Sequence, residues 1–144
     1  LESLRLCPEA YGAAYEDESA LSEAAFAERL RTSRVFGGFG EGALRGLCQY
    51  WRMTAPRQRH KGLIGGMYVI EDERGNGLAA DLMVAVETHA RAAGIEQLVL
   101  YVTTENPRAH AFYRRIGYAV FGTEPRGLKI GERYLDEDVL IKFL

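Results

Sequence analysis

The 144-residue chain has only two cysteines, Cys7 and Cys48, and they match neither metal-ligand nor redox spacing. A disulfide framework is therefore not indicated, and free thiols in a reducing, cytoplasmic setting are the simplest expectation. No apolar run approaches the ~20 residues of a membrane span, and no charged-then-apolar start resembles a secretory leader, so no membrane partner is expected. No long basic run exists and the formal net charge is −2, which argues against a nucleic-acid partner held by phosphate neutralisation. The short basic cluster Arg57-Gln58-Arg59-His60-Lys61 reads either as a substrate loop or as solvated surface. Internal repeats, low-complexity tracts and linkers are also missing, and no initiator methionine precedes Leu1, which hints that the natural start lies upstream.

What is present is ordinary globular composition, 47% hydrophobic and 26% charged. At this length one domain spanning 1–144 is the expectation, with a core large enough to bury roughly 68–70% of the unfolded surface. Leu1 to Leu6 reads as the last turns of a helix that Pro8 prevents from continuing. Tyr11 to Ser19 is small and acidic and reads as a solvated loop, before a short helix with Leu21, Phe26 and Leu30 apolar and Ser22 at its start. Val35–Phe39 and Leu44–Arg52 read as a hairpin about Glu41-Gly42. Pro56 to Lys61 reads as a polar loop.

Leu63–Ile70 is the next strand, and Gly65-Gly66 inside it marks a bulge or a close backbone approach. Leu78 to Ala93 follows as a helix with Leu78, Leu82, Val86 and Ala90 on one face and Gly94 as its stop. Leu98–Val102 reads as a buried strand, adjacent and parallel to Leu63–Ile70. Asn106-Pro107 is a cap followed by the proline that a first helical turn accepts, and that helix ends at Gly117. Tyr118–Gly122 and Arg133–Leu144 close the chain as strands joined by a connection, Glu124 to Glu132.

The chemistry concentrates in Arg74-Gly75-Asn76-Gly77-Leu78-Ala79, between a strand and a helix. Two glycines let the chain bend and present consecutive N–H groups, and the helix adds unpaired first-turn donors and a positive dipole end. Such a turn suits a phosphate. Gly75-x-Gly77-x-x-Ala80 also fits the dinucleotide pattern, but that reading needs an acid about 20 residues further on, where the chain has Leu98-Val99-Leu100-Tyr101-Val102, and a long βαβ series. A P-loop is excluded because Gly-Lys-Ser/Thr is missing.

Arg74, Gly77 and Ala79 resemble the Q/R-x-x-G-x-G/A cofactor motif of the Gcn5-related N-acetyltransferase (GNAT) family. Asn106, Ala109, Tyr113, Gly117 and Tyr118 resemble its second block, in the family's order and spacing, and the likeness covers roughly 35–144. It implies an α/β (α+β) fold: a mixed, mostly antiparallel sheet flanked by helices, here lacking the family's usual first strand. It implies acetyl-coenzyme A as cosubstrate and no metal, with pyrophosphate on amides of Arg74, Gly75, Asn76, Gly77, Leu78 and Ala79, and the pantetheine arm along Met67, Tyr68 and Val69. Asn106 and Tyr113 would lie beside the cofactor thiol, with Tyr113 as the acid that protonates the leaving thiolate. His60 is the candidate base, with water as the alternative. His110 shares the stripe of Asn106 and Tyr113 but reads as surface.

The acceptor implied is a primary amine of a small molecule or peptide, and a homodimer is a compatible assembly. The competing reading is a catalytically silent acyl-coenzyme A-binding or sensor module of the same fold. The acidic Glu71-Asp72-Glu73 is awkward beside an anion site, and these carboxylates are expected to point to solvent.

Overall fold

A computed structural model describes all residues, 1–144. In chain order the elements are α1 (Glu2–Leu6), α2 (Tyr15–Ser19), α3 (Glu23–Thr32), β1 (Arg34–Gly40), β2 (Ala43–Arg52), β3 (Lys61–Val69), α4 (Leu78–Ala92), β4 (Gln97–Thr103), α5 (Pro107–Arg115), β5 (Ala119–Ile130) and β6 (Arg133–Phe143). The strands form one mixed sheet in the order β1-β2-β3-β4-β6-β5. β1/β2, β2/β3 and β5/β6 are antiparallel, while β3 and β4 are parallel neighbours, as the apolar runs imply. A doubly wound dinucleotide sheet is not formed. The chain divides into two compact units, Leu1–Phe26 with Leu100–Lys142, and Ala27–Val99 with Phe143–Leu144.

In the unit Ala27–Val99, α4 supplies the core, burying Leu82, Met83, Val86 and Ala90 along one stripe. Its end is a Schellman motif. Gly94 takes φ +73°, its N–H bonds the Arg91 carbonyl, and the N–H of Ile95 bonds the Ala90 carbonyl while the Ile95 side chain is buried. Its start is fixed by a notch in the hairpin: Gly38 and Gly46 are register partners, and a Cβ on either would fall 2.4 or 3.2 Å from the Leu78 side chain. The first residue of α4 thus seats where two facing strands carry no side chains.

β3 bulges as Gly65-Gly66 predicts. Leu47 pairs Tyr68 and Gln49 pairs Gly65, so Gly66 and Met67 oppose Cys48 alone, with Gly66 at φ +62°. The ladder to β4 comprises Lys61–Leu63 with Gln97–Val99.

In the other unit α5 is bounded as its punctuation predicts. Asn106 Oδ1 accepts the Ala109 N–H at 3.0 Å, Pro107 opens the first turn, and Gly117 has φ +95°. The Tyr118 N–H reaches the Tyr113 carbonyl and the Gly117 N–H that of Arg114, again a Schellman motif, while Lys142 Nζ donates to the Ile116 carbonyl at 2.8 Å.

Two expectations are corrected. The acidic segment forms a short helix, α2, at Tyr15–Ser19, because Glu16, Asp17 and Glu18 in a first turn favour the positive dipole end. The connection Glu124–Glu132 is mostly strand: β5 runs to Ile130 and only Gly131-Glu132 turns. Pro125, Arg126 and Gly127 are absorbed as a bulge opposite Asp136, whose Oδ1 accepts the Arg126 N–H at 2.7 Å.

Candidate active site

The turn after β3 is built by its backbone. Gly75 and Gly77 stand at φ +91° and +94°, where a side chain is strained, and a Cβ on either would enter open space. The Arg74 N–H bonds the Glu71 carbonyl at 3.0 Å and the Asn76 N–H that of Glu73 at 3.4 Å. The Ala80 and Asp81 N–H groups both turn back to the Gly77 carbonyl. The amides of Gly75, Gly77, Leu78 and Ala79 are left without a partner in the chain. Four unpaired donors under a space that a Cβ would fill, at the positive end of a 15-residue helix, fit the pyrophosphate of a coenzyme.

Two of the six residues thus hold the turn together through their amides, and Arg74 does more. Its Nε donates to the Val69 carbonyl at 3.0 Å and its guanidinium lies 5.8 Å from the Tyr68 ring centre, clamping the end of β3 to the turn. Asn76 Nδ2 donates to the Asp72 carbonyl at 3.4 Å. Glu71 and Asp72 are exposed, whereas Glu73 is half-buried with its carboxylate toward Gly40. On β3, Met67 and Tyr68 are half-buried and Val69 is buried.

His60 directly precedes Lys61, the opposite end of β3, which lies roughly 26 Å along the strand from Val69 at about 3.3 Å per strand residue. Its carbonyl accepts the N–H groups of Glu96 (2.8 Å) and Gln97 (3.2 Å), which anchors the start of β4. Cys48 is fully buried and burial pushes its thiol up to about 12, so it offers no thiolate nucleophile. No group of three or more His, Cys, Asp or Glu is placed to hold a metal ion.

In the unit containing α5, Tyr113 is 7% exposed. Its ring meets those of Phe112 (5.1 Å) and Tyr118 (5.7 Å) edge-on, and Tyr113 and Tyr118 are the two residues whose contact usually accompanies a Schellman end. Its ring is therefore part of the helix stop. Asn106 spends Oδ1 on the cap. His110 corrects the surface reading: its side chain is 15% exposed, with Nε2 3.2 Å from the Thr103 carbonyl and 3.7 Å from Asp138 Oδ2. It ties α5 to β4 and β6.

Residues 2–118 match the family described as Acetyltransferase (GNAT) family. The chain belongs to the GNAT acetyltransferase family. The L-methionine sulfoximine/L-methionine sulfone acetyltransferase of Pseudomonas aeruginosa is 33% identical over 99 residues, covering 66% of this chain and 55% of that protein. The chain thus spans about half the length of this relative. Among solved structures, the GNAT acetyltransferase of Streptococcus pneumoniae superposes with a TM-score of 0.74 at 25% identity, covering 83% of this chain and 74% of that one. The yncA protein of Salmonella typhimurium, solved with its cofactor acetyl-CoA, superposes with a TM-score of 0.79 at 18% identity, covering 98% and 82%.

The sequence did not reveal which amides of the turn stay free, nor the Gly38/Gly46 notch that seats Leu78. The glycine-rich hairpin was the only signal of the notch.

Proposed function

We propose that this GNAT protein is an acetyl-coenzyme A-dependent N-acetyltransferase that moves the acetyl group to a primary amine by direct attack. The observation that carries the reading is the set of free amides at Gly75, Gly77, Leu78 and Ala79 above a helix N-terminus. They bind the pyrophosphate, with Arg74 and Asn76 holding the turn in shape. The extended backbone at Met67, Tyr68 and Val69 carries the pantetheine arm.

The cosubstrate supplies an activated acetyl carbon. A nitrogen–carbon bond forms there, the carbon–sulfur bond breaks, the amine loses a proton and the thiolate gains one. Tyr113 donates the second proton, since a phenol with an ordinary pKa near 10 is protonated at neutral pH. Asn106 keeps its Nδ2 for the cosubstrate while Oδ1 caps α5. His60 takes up the amine's proton, and water does so if it does not.

A second reading, a module of this fold that binds the coenzyme without catalysis, draws on the packing of Tyr113 against Phe112 and Tyr118. Tyr113→Phe separates the two. The variant keeps the ring, so a catalytic tyrosine yields a folded protein with unchanged coenzyme A affinity by calorimetry and kcat lowered by about 10²–10⁴. Near wild-type kcat with chemistry rate-limiting assigns Tyr113 to packing. Failure of wild type to release free thiol with any amine, despite coenzyme binding, favours the silent module.

A further inference from the structure

Between α5 and the β5/β6 pair lies a cavity of about 240 Å³, bounded by His110, Arg114, Tyr118, Ala119, Val120 and Leu140. None of the residues assigned above to the coenzyme lines it. His110 and Arg114 stand four residues apart on α5 and so share a face of the helix. Val120 and Leu140 are register partners, and β5 is the outermost strand, so the cavity opens at a free edge of the sheet. Tyr118 and Leu140, each 2% exposed, form its apolar floor, while Val120 stands exposed at the rim.

The polar groups around this cavity are unevenly engaged. His110 Nε2 is held by the Thr103 carbonyl and Asp138 Oδ2, and Asp138 Oδ1 in turn accepts the Thr123 hydroxyl, so the imidazole is a fixed wall. The N–H groups of Gly117 and Tyr118 are bonded to the carbonyls of Arg114 and Tyr113. The Arg114 guanidinium, by contrast, makes no hydrogen bond, ion pair or ring contact, although its neighbour Arg115 lies over the Phe112 ring and Lys142 bonds the Ile116 carbonyl. The local charge is one-sided as well. Between Glu105 and Glu124 the chain carries Arg108, Arg114 and Arg115 and no Asp or Glu, and Lys142 Nζ lies 5.6 Å from the centre of the Tyr118 ring. The facing acid, Asp138, is already bound from two sides.

An unpartnered guanidinium at the mouth of an apolar hollow suits a carboxylate, which it can grip with two parallel N–H donors. A phosphate calls for several donors at once, and the backbone amides beside this cavity are engaged. A neutral apolar molecule would leave the guanidinium unanswered. Size limits the rest of the ligand: an apolar cavity of about 150 Å³ holds benzene, so one of about 240 Å³ holds a ring together with a carboxylate. We infer that this cavity is a binding site for a small monocarboxylate with a compact apolar body, of the size of benzoate, its carboxylate on Arg114 and its body against Tyr118, Val120 and Leu140. The inference does not depend on the acetyl-transfer reading, since no residue of that chemistry takes part.

The test titrates benzoate, benzamide and acetate into wild type, Arg114→Gln and Val120→Trp, by calorimetry and by the methyl resonances of Val120 and Leu140. Wild type should bind benzoate with a Kd on the order of 0.1–1 mM, in keeping with about nine non-hydrogen atoms, and both sets of methyl resonances should shift. Benzamide has the shape without the charge and acetate the charge without the body, and each should bind about tenfold more weakly or worse. Arg114→Gln should weaken benzoate by about fivefold or more and leave benzamide within about twofold. Val120→Trp, which fills the rim, should remove both. Coenzyme A affinity should stay within about twofold in either variant, and benzoate should remain bound at saturating coenzyme A. No benzoate binding, benzamide equal to benzoate, unmoved Val120 and Leu140 methyl resonances, undiminished benzoate affinity in Arg114→Gln, or displacement of benzoate by coenzyme A would each overturn the inference. The wild-type comparisons decide the matter even where a variant fails to fold.

Discussion

Gly77 and Gly94 bracket the same helix and make a matched pair for testing the phosphate turn. Both have positive φ, +94° and +73°, and a Cβ at either meets nothing within 4 Å. Alanine at either therefore costs backbone strain and no crowding, of order 1–3 kcal/mol. At this chain length each kcal/mol lowers Tm by roughly 3–5 °C, so the two variants should lose similar stability by thermal denaturation. They should differ in coenzyme binding. The methyl group of Gly77→Ala enters the space above the free amides of Gly77 and Leu78, and losing one hydrogen bond to an anionic oxygen costs about 1.5–3 kcal/mol. Kd for coenzyme A should rise by roughly 10- to 150-fold for Gly77→Ala and stay within about twofold for Gly94→Ala, whose N–H is spent on the Arg91 carbonyl. Isothermal calorimetry below both melting transitions reads the difference. Equal affinities in the two variants would refute the assignment of the phosphate to this helix end.

Gly46→Ala places a Cβ 2.9 Å from the Tyr68 carbonyl oxygen and 3.2 Å from Leu78, so it should cost about 1–3 kcal/mol in urea unfolding and weaken coenzyme A binding by dislodging the start of α4. Lys142→Met removes the donor to the Ile116 carbonyl and should cost about 1–2 kcal/mol in the same assay, with coenzyme affinity unchanged. His60→Gln should lower kcat/KM with coenzyme A affinity unchanged if the imidazole takes up the amine's proton, and an unchanged kcat/KM would give that proton to water.

Elements whose ends are marked by local chemistry were legible in the sequence. Asn106-Pro107 and Gly117 delimit α5, Gly94 ends α4, and Glu41-Gly42 turns the first hairpin, because each rule there involves only residues adjacent in the chain. Gly65-Gly66 announced its bulge for the same reason. β5 was not legible, because Pro125 and Gly127 read as a stop, and what keeps the strand going is a carboxylate from β6, that of Asp136, holding Arg126 at φ +58°. The helix α2 has no buried residue and therefore no apolar periodicity to reveal it. At the site, the motif located the turn but not its division of labour, since which amides remain free depends on the Glu71–Glu73 turn that binds Arg74 and Asn76 first. His110 read as surface because its partners, Thr103 and Asp138, lie on two other elements.

Glu137 offers a test of burial against charge repulsion. It faces Glu124 in the β5/β6 register, and Gly127 crosses it so closely that a Cβ there would lie 2.7 Å from its Oε2. Burial, and secondarily the Glu124 carboxylate, raise its pKa above the ordinary carboxylate range. Because the folded value exceeds the unfolded one, the native state binds more protons between them, and stability falls as pH rises through that window. Below it, Glu137 is neutral in both states and Glu137→Gln should be close to wild type. Above it, wild type carries the cost of a half-buried charge that the glutamine lacks, so the variant should become the more stable protein as pH increases. Urea unfolding at closely spaced pH values reads the divergence, and parallel profiles or a divergence of opposite sign would contradict the assignment. Since burial is the larger cause, Glu124→Gln should recover only the smaller part of the difference. Added salt should shrink that part and leave the remainder, because screening acts on the pair of charges and not on desolvation.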